Sequence, residues 1–434
     1  MACYETIYAL SSGHPPAGIA VLRISGPRAQ DAACALAGRL PPPRRASLAL
    51  LRAADGQPLD RAMMLFFPGP ASATGEDVVE LHLHGGRAVV SAVLGALGAM
   101  ERLRLAAPGE FTRRAHAAGK MDLAEVEGLA DLIAAETEGQ RRQALALASG
   151  ALSRRVEGWR GRLVRSLMLV EAGVDFADEG DVPDALLAPA RTEAGLLLAE
   201  LDAALADAER GERVRDGLAV AIAGPPNAGK STLLNRLAGR EAAIVSHIPG
   251  TTRDILEVHL DLAGQAVTLI DTAGLRETDD EIEAEGIRRA RARAASADLV
   301  LWLSPEGAPP PADLPHALPV RTKADLLASD DSGTSGGALA VSARTGAGLD
   351  ALVARLTARA EALSGREPAL VTRARQRTAL AEARSHLARA LDATAEELFA
   401  EDLRLAARSL DAVVGRVDVE DVLDALFRTF CIGK

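Results

Sequence analysis

One stretch of the 434-residue sequence has the spacing of a phosphate-binding loop. Gly224-Pro-Pro-Asn-Ala-Gly-Lys-Ser231 matches the pattern G-x-x-x-x-G-K-S and follows the apolar run Leu218–Ala223, which predicts a buried strand. Glycines allow backbone amides to curl around phosphate groups, and a helix predicted over Ser231–Leu237 adds the positive end of its dipole. We expect Lys230 to contact the β- and γ-phosphates and the Ser231 hydroxyl to bind Mg²⁺.

Two further motifs of a nucleotide site follow the phosphate loop in order. Gly250-Thr-Thr-Arg-Asp254 is typical of a first switch segment, in which Thr252 would be a second Mg²⁺ ligand. The strand predicted over Val267–Ile270 ends in Asp271-Thr-Ala-Gly274. There Asp271 would hold Mg²⁺ through water, and the last amide of the motif would meet the γ-phosphate.

A later motif, Thr322-Lys-Ala-Asp325, has residues that can read guanine. The Asp325 carboxylate can accept hydrogen bonds from N1 and N2 of guanine, whereas adenine offers no such pair of donors. Ser342-Ala343 matches a further guanine-contact element. Together the motifs resemble a Ras-like GTPase domain of the translation-factor class. That family usually has Asn where this chain has Thr322, so we expect guanine discrimination to depend more on Asp325.

The predicted contacts to GTP cover the phosphate loop, the first switch, the Asp271 motif and the two base-reading motifs. They are Asn227, Ala228, Gly229, Lys230, Ser231, Thr232, Ser246, His247, Ile248, Pro249, Gly250, Thr251, Thr252, Asp271, Thr272, Ala273, Gly274, Thr322, Lys323, Asp325, Ser342 and Ala343.

The residue that positions water in Ras-type enzymes is missing from this sequence. Leu275 stands where those enzymes carry glutamine, and leucine cannot orient water. Hydrolysis therefore needs a substitute, and the acidic run Glu277–Glu283 lies just downstream, although most of its carboxylates are expected on a solvated loop. The Asn227 side-chain oxygen could also coordinate a monovalent cation, whose charge would replace that of an arginine finger.

Composition predicts a cytoplasmic protein with about three domains. The chain is 48% hydrophobic but only 3% aromatic, which favours helices with aliphatic cores, and its net charge of −11 argues against a generally basic surface. Three scattered cysteines fit a reducing cytosol rather than a disulfide framework. The sequence has neither an apolar run long enough to cross a membrane nor the pattern of a signal peptide.

Lysine is so rare that each one is a candidate for a specific role. Only four of the 49 basic residues are lysine, and two of them lie in the nucleotide motifs. Lysine is a compact point charge, unlike the planar fork of arginine. The other two, Lys120 and Lys434, are therefore suspected of a function outside the nucleotide site.

The elements that must position these residues change along the chain. Strands are predicted over Glu5–Leu10, Gly18–Ile24, Met63–Phe67 and Asp77–His84. Helical spacing runs from 122 to about 210 and returns after Pro368. We predict a multidomain fold of α/β and α parts: an N-terminal α+β domain over residues 1–118, a helical domain in two parts over 119–215 and 364–434, and an inserted Ras-like P-loop domain over 216–363.

One face of the last N-terminal strand carries Glu80, His82 and His84, because residues two apart share a face. From the residues alone, this Glu-x-His-x-His pattern could be a metal site or sheet packing, and sheet packing is the more frequent case. Near the other end of the chain, Cys431 could be a nucleophile or a buried structural cysteine.

Further motifs extend a family resemblance over essentially the whole chain. The chain is similar to the tRNA-modification GTPases of the MnmE (TrmE) family, on the motifs above together with Glu5-Thr-Ile-Tyr-Ala9, Ala20-Val-Leu-Arg-Ile-Ser-Gly-Pro27, Thr74-Gly-Glu-Asp-Val-Val-Glu80, His82-Leu-His-Gly-Gly86, Pro108-Gly-Glu-Phe-Thr112, Gly119-Lys-Met-Asp-Leu123 and Phe430-Cys-Ile-Gly-Lys434. One departure is Ala73, where many members have Tyr.

The resemblance implies a fold, an activity and partners. It implies an N-terminal domain that binds folate and dimerises, a helical domain, and a GTPase domain inserted in it. The family works with the flavoprotein MnmG, which implies a heterotetramer of two homodimerising chains with that partner. It installs a carboxymethylaminomethyl group at C5 of the wobble uridine of certain tRNAs. The one-carbon donor would be 5-formyltetrahydrofolate or a related tetrahydrofolate.

The resemblance also implies roles for individual residues. Folate contacts fall on Arg23, Glu80, Lys120 and Lys434. The resemblance favours Glu80 as a hydrogen-bond acceptor for a pterin ring, so a folate site ranks first for the Glu-x-His-x-His pattern, sheet packing second and a metal site third. K⁺ contacts fall on Asn227, Ser246, Ile248 and Thr251, and the glutamate that positions water falls on Glu283. With Lys230 and Cys431, Glu283 completes the set of candidate catalytic residues.

An alternative reading is a GTP-switched RNA-binding factor in ribosome assembly. That function predicts an RNA-binding module after the GTPase domain, such as a KH domain with its Gly-x-x-Gly loop. The sequence has helical periodicity and the Cys-Ile-Gly-Lys tail at that place, which favours the tRNA-modifying enzyme.

Overall fold

The computed structural model describes residues 5–175, 182–240, 243–244, 257–271, 297–312, 314, 317–326, 338–365, 367–417, 420–430 and 432–433. The chain divides into two compact units, Met1–Ala130 with Asp411–Lys434, and Asp131–Leu410. Both ends of the sequence thus belong to the first unit. The four domain segments given above remain predictions.

A six-stranded sheet forms the centre of the first unit. In the order β3-β4-β5-β2-β1-β6 it contains Ser47–Arg52 (β3), Pro58–Phe67 (β4), Val78–Gly85 (β5), Ala17–Ser25 (β2), Thr6–Leu10 (β1) and Leu103–Leu105 (β6). Neighbouring strands are antiparallel except β1 and β6. The four strands predicted in this part of the sequence correspond to β1, β2, β4 and β5.

The two faces of this sheet differ in what covers them. On one face, alternate residues such as Leu22, Ile24 and Leu81 are buried beneath the helices Ala29–Ala37 (α1) and Arg87–Gly98 (α2). The residues between them, including Arg23 and Glu80, point to the opposite face and stay partly exposed. This second face is called the open face below.

The C-terminal helix Glu420–Thr429 (α13) packs within the first unit. Phe427 and Phe430 form a small core with Val126 of the helix Leu123–Ala134 (α4). Arg113, in the helix Glu110–Ala117 (α3), pairs with Asp424 at 2.8 Å and lies over the Phe427 ring. These contacts tie the end of the chain to its first 120 residues.

Helices make up most of the second unit outside the nucleotide domain. They are Glu138–Ala148 (α5), Ala151–Asp175 (α6), Val182–Ala206 (α7), Ala208–Asp216 (α8), Ala374–Asp392 (α11) and Glu396–Val413 (α12), the last of which ends in the first unit. A capping box between Thr137 and Gln140 starts α5. Buried Gln143 then donates to the carbonyls of Gly211 and Ala369, which joins α5 to α8 and to the segment before α11.

A second six-stranded sheet carries the nucleotide motifs. Its order is β12-β11-β10-β7-β9-β8, formed by Leu339–Ala340, Leu318–Arg321, Leu299–Ser304, Leu218–Ala223 (β7), Gln265–Asp271 (β9) and Glu257–Leu262. All pairs are parallel except β8 with β9. The helices Lys230–Ala238 (α9) and Leu349–Ser364 (α10) bury Leu234 and Leu356 against its core.

The carboxyl edge of this sheet brings distant motifs together. Parallel strands that run in one direction place their ends at one edge, where open α/β sheets bind ligands. The phosphate loop follows β7, Asp271 ends β9, and Thr322 follows β11. No helix in the described part of the chain is long and apolar enough to span a membrane.

Candidate functional sites

The phosphate loop joins β7 to α9 and closes on its own lysine. Gly224 has a φ of +152°, and a Cβ there would lie 2.3 Å from the Leu303 carbonyl oxygen, so only glycine fits between the strands. Lys230 is largely buried, and its Nζ donates to the carbonyls of Gly224 at 2.8 Å and Pro225 at 3.0 Å. The lysine charge is therefore held inside the loop where phosphates would bind.

The two predicted Mg²⁺ groups of the described residues are in direct contact. Ser231 Oγ donates to Asp271 Oδ2 at 2.7 Å, and Asp271 is buried. A hydroxyl and a carboxylate are hard oxygen donors of the kind Mg²⁺ prefers, and Mg²⁺ keeps several of its waters. The pair fits a metal held directly by Ser231 and through water by Asp271.

The base-reading loop is tied to the phosphate loop and to the segment after β12. Thr322 is buried, and its Oγ1 donates to the Ala228 carbonyl at 2.6 Å. The Ala324 amide donates to the Val341 carbonyl at 3.2 Å. Lys323 between them has a left-handed φ of 57°. Three segments far apart in sequence are thereby joined at one place.

The Asp325 carboxylate is held by two side chains. Ser342 Oγ donates to Oδ1 at 2.6 Å, and Arg344 Nε donates to Oδ2 at 2.8 Å. The Ser342 hydrogen bond, followed by that from Arg344, lowers the pKa of Asp325. The group is therefore a fixed, ionised acceptor, as guanine N1 and N2 require. Arg344 is largely exposed and can move away when a base binds.

Several residues to which the sequence assigns a nucleotide, K⁺, folate or catalytic role, and Leu275, lie outside the described residues. They are Ser246, His247, Ile248, Pro249, Gly250, Thr251, Thr252, Thr272, Ala273, Gly274, Leu275, Glu283, Cys431 and Lys434. Of the predicted K⁺ ligands, Asn227 is described: it is exposed at the tip of the phosphate loop, with a φ of 61°. Asparagine tolerates this left-handed conformation better than most residues.

A second cluster of polar residues lies on the open face of the N-terminal sheet. Arg23 and Glu80 are directly opposite each other on β2 and β5. Arg23 donates twice to Glu80 Oε1, at 3.0 and 2.8 Å, and its guanidinium lies 5.7 Å from the centre of the Phe111 ring. Glu80 Oε2 faces His82 Nε2 at 3.6 Å. The pair is partly exposed and can accept a ligand.

The two histidines of the Glu-x-His-x-His pattern have different surroundings. His84 pairs with Asp60 on the neighbouring strand, at 2.8 Å. His82 Nε2 is buried without a hydrogen-bond partner, next to Glu80. No group of three potential metal ligands occurs among the described residues. The described residues therefore give no support to a metal site, and His82 lies beside the Arg23–Glu80 pair.

Lys120 and the residue before Lys434, Gly433, each lie close to a segment of the first unit. Lys120 is exposed, and its Cε would lie 3.6 Å from a Cβ built on Gly75 of the Thr74-Gly-Glu-Asp motif. Ser11 Oγ donates to the Gly433 carbonyl at 2.8 Å. Gly433 has a φ of +101° and approaches the Leu10 carbonyl so closely that a Cβ would lie 2.0 Å from its oxygen. The tail thus folds back onto the end of β1.

An ion-pair network holds Glu76 of the Thr74-Gly-Glu-Asp motif in place. Buried Arg114 donates to both oxygens of Glu76 and to Glu110, and Ser25 Oγ donates to Glu76 at 2.7 Å. Burial opposes ionisation of Glu110, but hydrogen bonds from Arg104, the Ala107 amide and Arg114 outweigh it and lower its pKa to about 2. This network fixes the loop beside Lys120.

Sequence reasoning assigned no role to three residues that contact the predicted site residues: Ser11, Glu76 and Arg344. A signal existed for Arg344, which directly follows the Ser342-Ala343 motif. No local pattern links Ser11 to a residue 422 positions away.

The fold and site of the second unit define a P-loop protein of the Ras-like GTPase class. A G-x-x-x-x-G-K-S loop follows a central parallel strand, an aspartate ends the adjacent strand, and a carboxylate held by Ser342 stands at the base-reading loop. The N-terminal sheet and the helices outside the nucleotide domain are not part of that class and require a more specific identification.

Comparison with known proteins supplies it. The family model "MnmE helical domain" matches residues 123–431, and "GTP-binding protein TrmE N-terminus" matches 6–120. The tRNA modification GTPase MnmE of Azorhizobium caulinodans is 66% identical over 433 residues, 99% of each chain. That of Methylobacterium sp. (strain 4-46) is 56% identical over 99% of this chain and 100% of its own. The chain therefore belongs to the MnmE family of tRNA modification GTPases.

A solved structure, the G domain of the T. maritima FeoB iron transporter, covers 32% of this chain and 98% of its own at 25% identity, with a TM-score of 0.21. At that score the match adds nothing to the strand order already described.

Proposed function

We propose that this chain is a K⁺-activated GTPase that acts, with a flavoprotein partner, on the wobble uridine of certain tRNAs. The product would carry a carboxymethylaminomethyl group at C5, and a tetrahydrofolate such as 5-formyltetrahydrofolate would donate one carbon. Residues 1–118 form the folate-binding and dimerising domain, 119–215 with 364–434 the helical domain, and 216–363 the GTPase domain.

The observation that supports folate binding is the Arg23–Glu80 pair on the open face. Arg23 occupies only Oε1 of Glu80, so Oε2 can accept a hydrogen bond from an N–H of the pterin ring. Folate also has carboxylates, which Lys120 and Lys434 would bind. The Ser11 hydroxyl donates to the carbonyl of Gly433, the residue before Lys434. Bound folate would supply the one-carbon unit.

The GTPase half depends on charge held at the phosphate loop. Lys230 would leave the Gly224 and Pro225 carbonyls and donate to the β- and γ-phosphates. Ser231 and Asp271 would hold Mg²⁺, and the Asn227 oxygen would bind K⁺ together with Ser246, Ile248 and Thr251. Such cations stabilise the charge that develops on the phosphate. Glu283 would orient water, because Leu275 cannot.

Exposed apolar side chains on the open face support an interaction surface for partners. Ile19, Leu48, Leu50 and Met63 lie on the open face, and between 40% and 60% of each is exposed. Apolar side chains grouped in this way mark interaction sites. They support homodimerisation through the N-terminal domain, and the dimer would join the flavoprotein MnmG in a heterotetramer. Few, scattered cysteines support a cytoplasmic location.

Mass spectrometry of tRNA wobble nucleosides tests the proposal. Cells that lack this chain should lose the carboxymethylaminomethyl group on C5 of wobble uridine, and the wild-type gene should restore it. As a control, the same cells are given the gene with Lys230→Ala, which supplies the folded chain without its GTPase activity. This gene should not restore the carboxymethylaminomethyl group. Unchanged wobble nucleosides with altered ribosomal particles would instead favour the ribosome-assembly factor.

A further inference from the structure

The hydroxyl of Thr322 has a single proton, and the structure commits it to the phosphate loop. Thr322 Oγ1 lies 2.6 Å from the Ala228 carbonyl oxygen, and only 5% of the residue is exposed. A carbonyl oxygen can only accept, so the hydroxyl must donate. What remains on Oγ1 is lone pairs, which cannot donate to another acceptor.

Asparagine at this position would behave differently. Its amide carries two N–H groups, so it could donate one to the Ala228 carbonyl and the other to a base. Guanine presents N7 as an acceptor on the edge of its five-membered ring. A guanine nucleotide that binds its phosphates in the Gly224–Ser231 loop and its N1–N2 edge at Asp325 passes the place where the phosphate loop meets the base-reading loop. Thr322 lies at that place.

We propose that this chain recognises guanine through the N1–N2 edge at Asp325 and leaves N7 without a side-chain donor. Thr322 is then a tie between two loops rather than a base contact. This inference rests on the assignment of the GTP site in the proposed function and specifies how that site selects its nucleotide.

Asp325 can carry the selection by itself because it is fixed and charged. Ser342 orients one carboxylate oxygen at 2.6 Å. Arg344 donates to the other at 2.8 Å with a guanidinium, whose N–H groups resemble the N1–H and N2–H₂ groups of guanine. Arg344 is 75% exposed, so guanine can replace it at the carboxylate. Hydrogen bonds to a charged acceptor are the stronger kind.

Nucleotide analogues that lack one atom each test the inference on the full-length chain. Dissociation constants for GTP, 7-deaza-GTP and ITP are measured by competition against a fluorescent GDP analogue. 7-Deaza-GTP has C–H in place of N7, and ITP lacks the N2 amine. We expect 7-deaza-GTP to bind within about twofold of GTP, and ITP to bind about tenfold or more weakly. Weaker binding of 7-deaza-GTP by about tenfold would overturn the inference.

Substitutions at Thr322 separate the tie from base recognition. Thr322→Asn should create a preference for GTP over 7-deaza-GTP of about threefold to tenfold, because the second amide proton reaches N7. Thr322→Val removes the hydroxyl at nearly constant volume and should weaken both nucleotides equally. Thr322→Ser keeps the tie and should match wild type. If Thr322→Val weakens only GTP, the hydroxyl contacts N7 and the inference is wrong.

A substitution at Asp325 supplies the complementary result. Asp325→Asn should reduce the preference for GTP over XTP, because an amide can donate to the O2 of xanthine. Undiminished preference for GTP would show that another group reads the N1–N2 edge.

Failure of the inference and failure of the proposed site give different results. If the wild-type chain binds GTP and Lys230→Ala abolishes hydrolysis, but 7-deaza-GTP binds poorly, only the inference about N7 is wrong. If Lys230→Ala hydrolyses GTP normally, the assignment of the nucleotide site itself is wrong.

Discussion

The nucleotide site and the N-terminal open-face site are assembled in different ways. In the first, each contact comes from a short motif at the end of a parallel strand or directly after it, as with Asp271, Lys230 and Thr322. In the second, Arg23 and Glu80 meet across antiparallel strands, and Gly433 reaches Ser11 from the far end of the chain. Chemistry in contiguous motifs can be recognised from spacing, whereas chemistry across strand pairs needs the register.

The largest effect is expected at Lys230. Lys230→Ala removes the charge on the β- and γ-phosphates and should lower GTP hydrolysis on the order of 10³-fold. Lys120→Ala is the matched control, because it removes one of the four lysines from the other site and should leave the rate unchanged. Phosphate release assays measure both. Full activity in Lys230→Ala would show that the phosphates bind elsewhere, and the nucleotide site could then not be compared with the open-face site.

Exchange of the monovalent cation should have the next largest effect. Because Leu275 cannot position water and Asn227 offers an oxygen ligand, kcat in K⁺ should exceed kcat in Na⁺ on the order of 10²-fold at equal ionic strength. Glu283→Ala should lower kcat with little change in nucleotide affinity. Equal rates in the two salts would refute activation by K⁺, and an unchanged kcat in Glu283→Ala would exclude a role of Glu283 in hydrolysis.

Removal of the tail should affect only the open-face site. Deleting residues 431–434 takes away Lys434 and the contact of Gly433 with Ser11. We expect folate affinity to fall by about tenfold and tRNA modification to be lost, while basal GTP hydrolysis persists. Ser11→Ala, which removes a single hydrogen bond, should give a smaller loss. Normal tRNA modification by the truncated chain would show that the tail is dispensable.

The smallest effect concerns acid stability beside the open-face site. The pKa of Glu110 is lowered to about 2, so its ion pairs stabilise the folded state fully above its ordinary pKa of 4.5 and are lost as the pH falls toward 2. Glu110→Gln should raise amide exchange in peptides covering β6 and α3 at pH 6, and the difference from wild type should shrink toward pH 3. A difference that does not depend on pH would exclude this cause.

Local pattern predicts much of the fold and less of the site contacts. The predicted strand Leu218–Ala223 is correct to the residue, because a short apolar run before a glycine loop is typical of a buried strand. Strand Ser47–Arg52 is not predicted from the sequence. Its exposed residues Leu48 and Leu50 are apolar, as are the buried Ala49 and Leu51, so the sequence shows no alternation of polar and apolar residues. The proline-rich stretch Pro305–Pro319 predicts a loop, but its last two residues lie in the strand Leu318–Arg321.

The hydrogen bonds of the sites depend on geometry that a sequence does not contain. Thr322 is a departure from the family in sequence, but its donation to the Ala228 carbonyl follows from how two loops meet. In the same way, the register of β2 against β5 places Arg23 beside Glu80. Residue types thus predict which groups are present, and tertiary structure decides which of them remain available to a ligand.

The most direct test asks whether the two sites are chemically separate. Binding of 5-formyltetrahydrofolate and hydrolysis of GTP are measured on the same preparations of Glu80→Gln and Lys230→Ala. We predict that Glu80→Gln weakens folate binding by about tenfold or more and leaves kcat for GTP within about twofold of wild type. Lys230→Ala should abolish GTP hydrolysis and leave folate binding within about twofold of wild type. Wild-type folate binding by Glu80→Gln, or loss of both properties in either variant, would contradict the account.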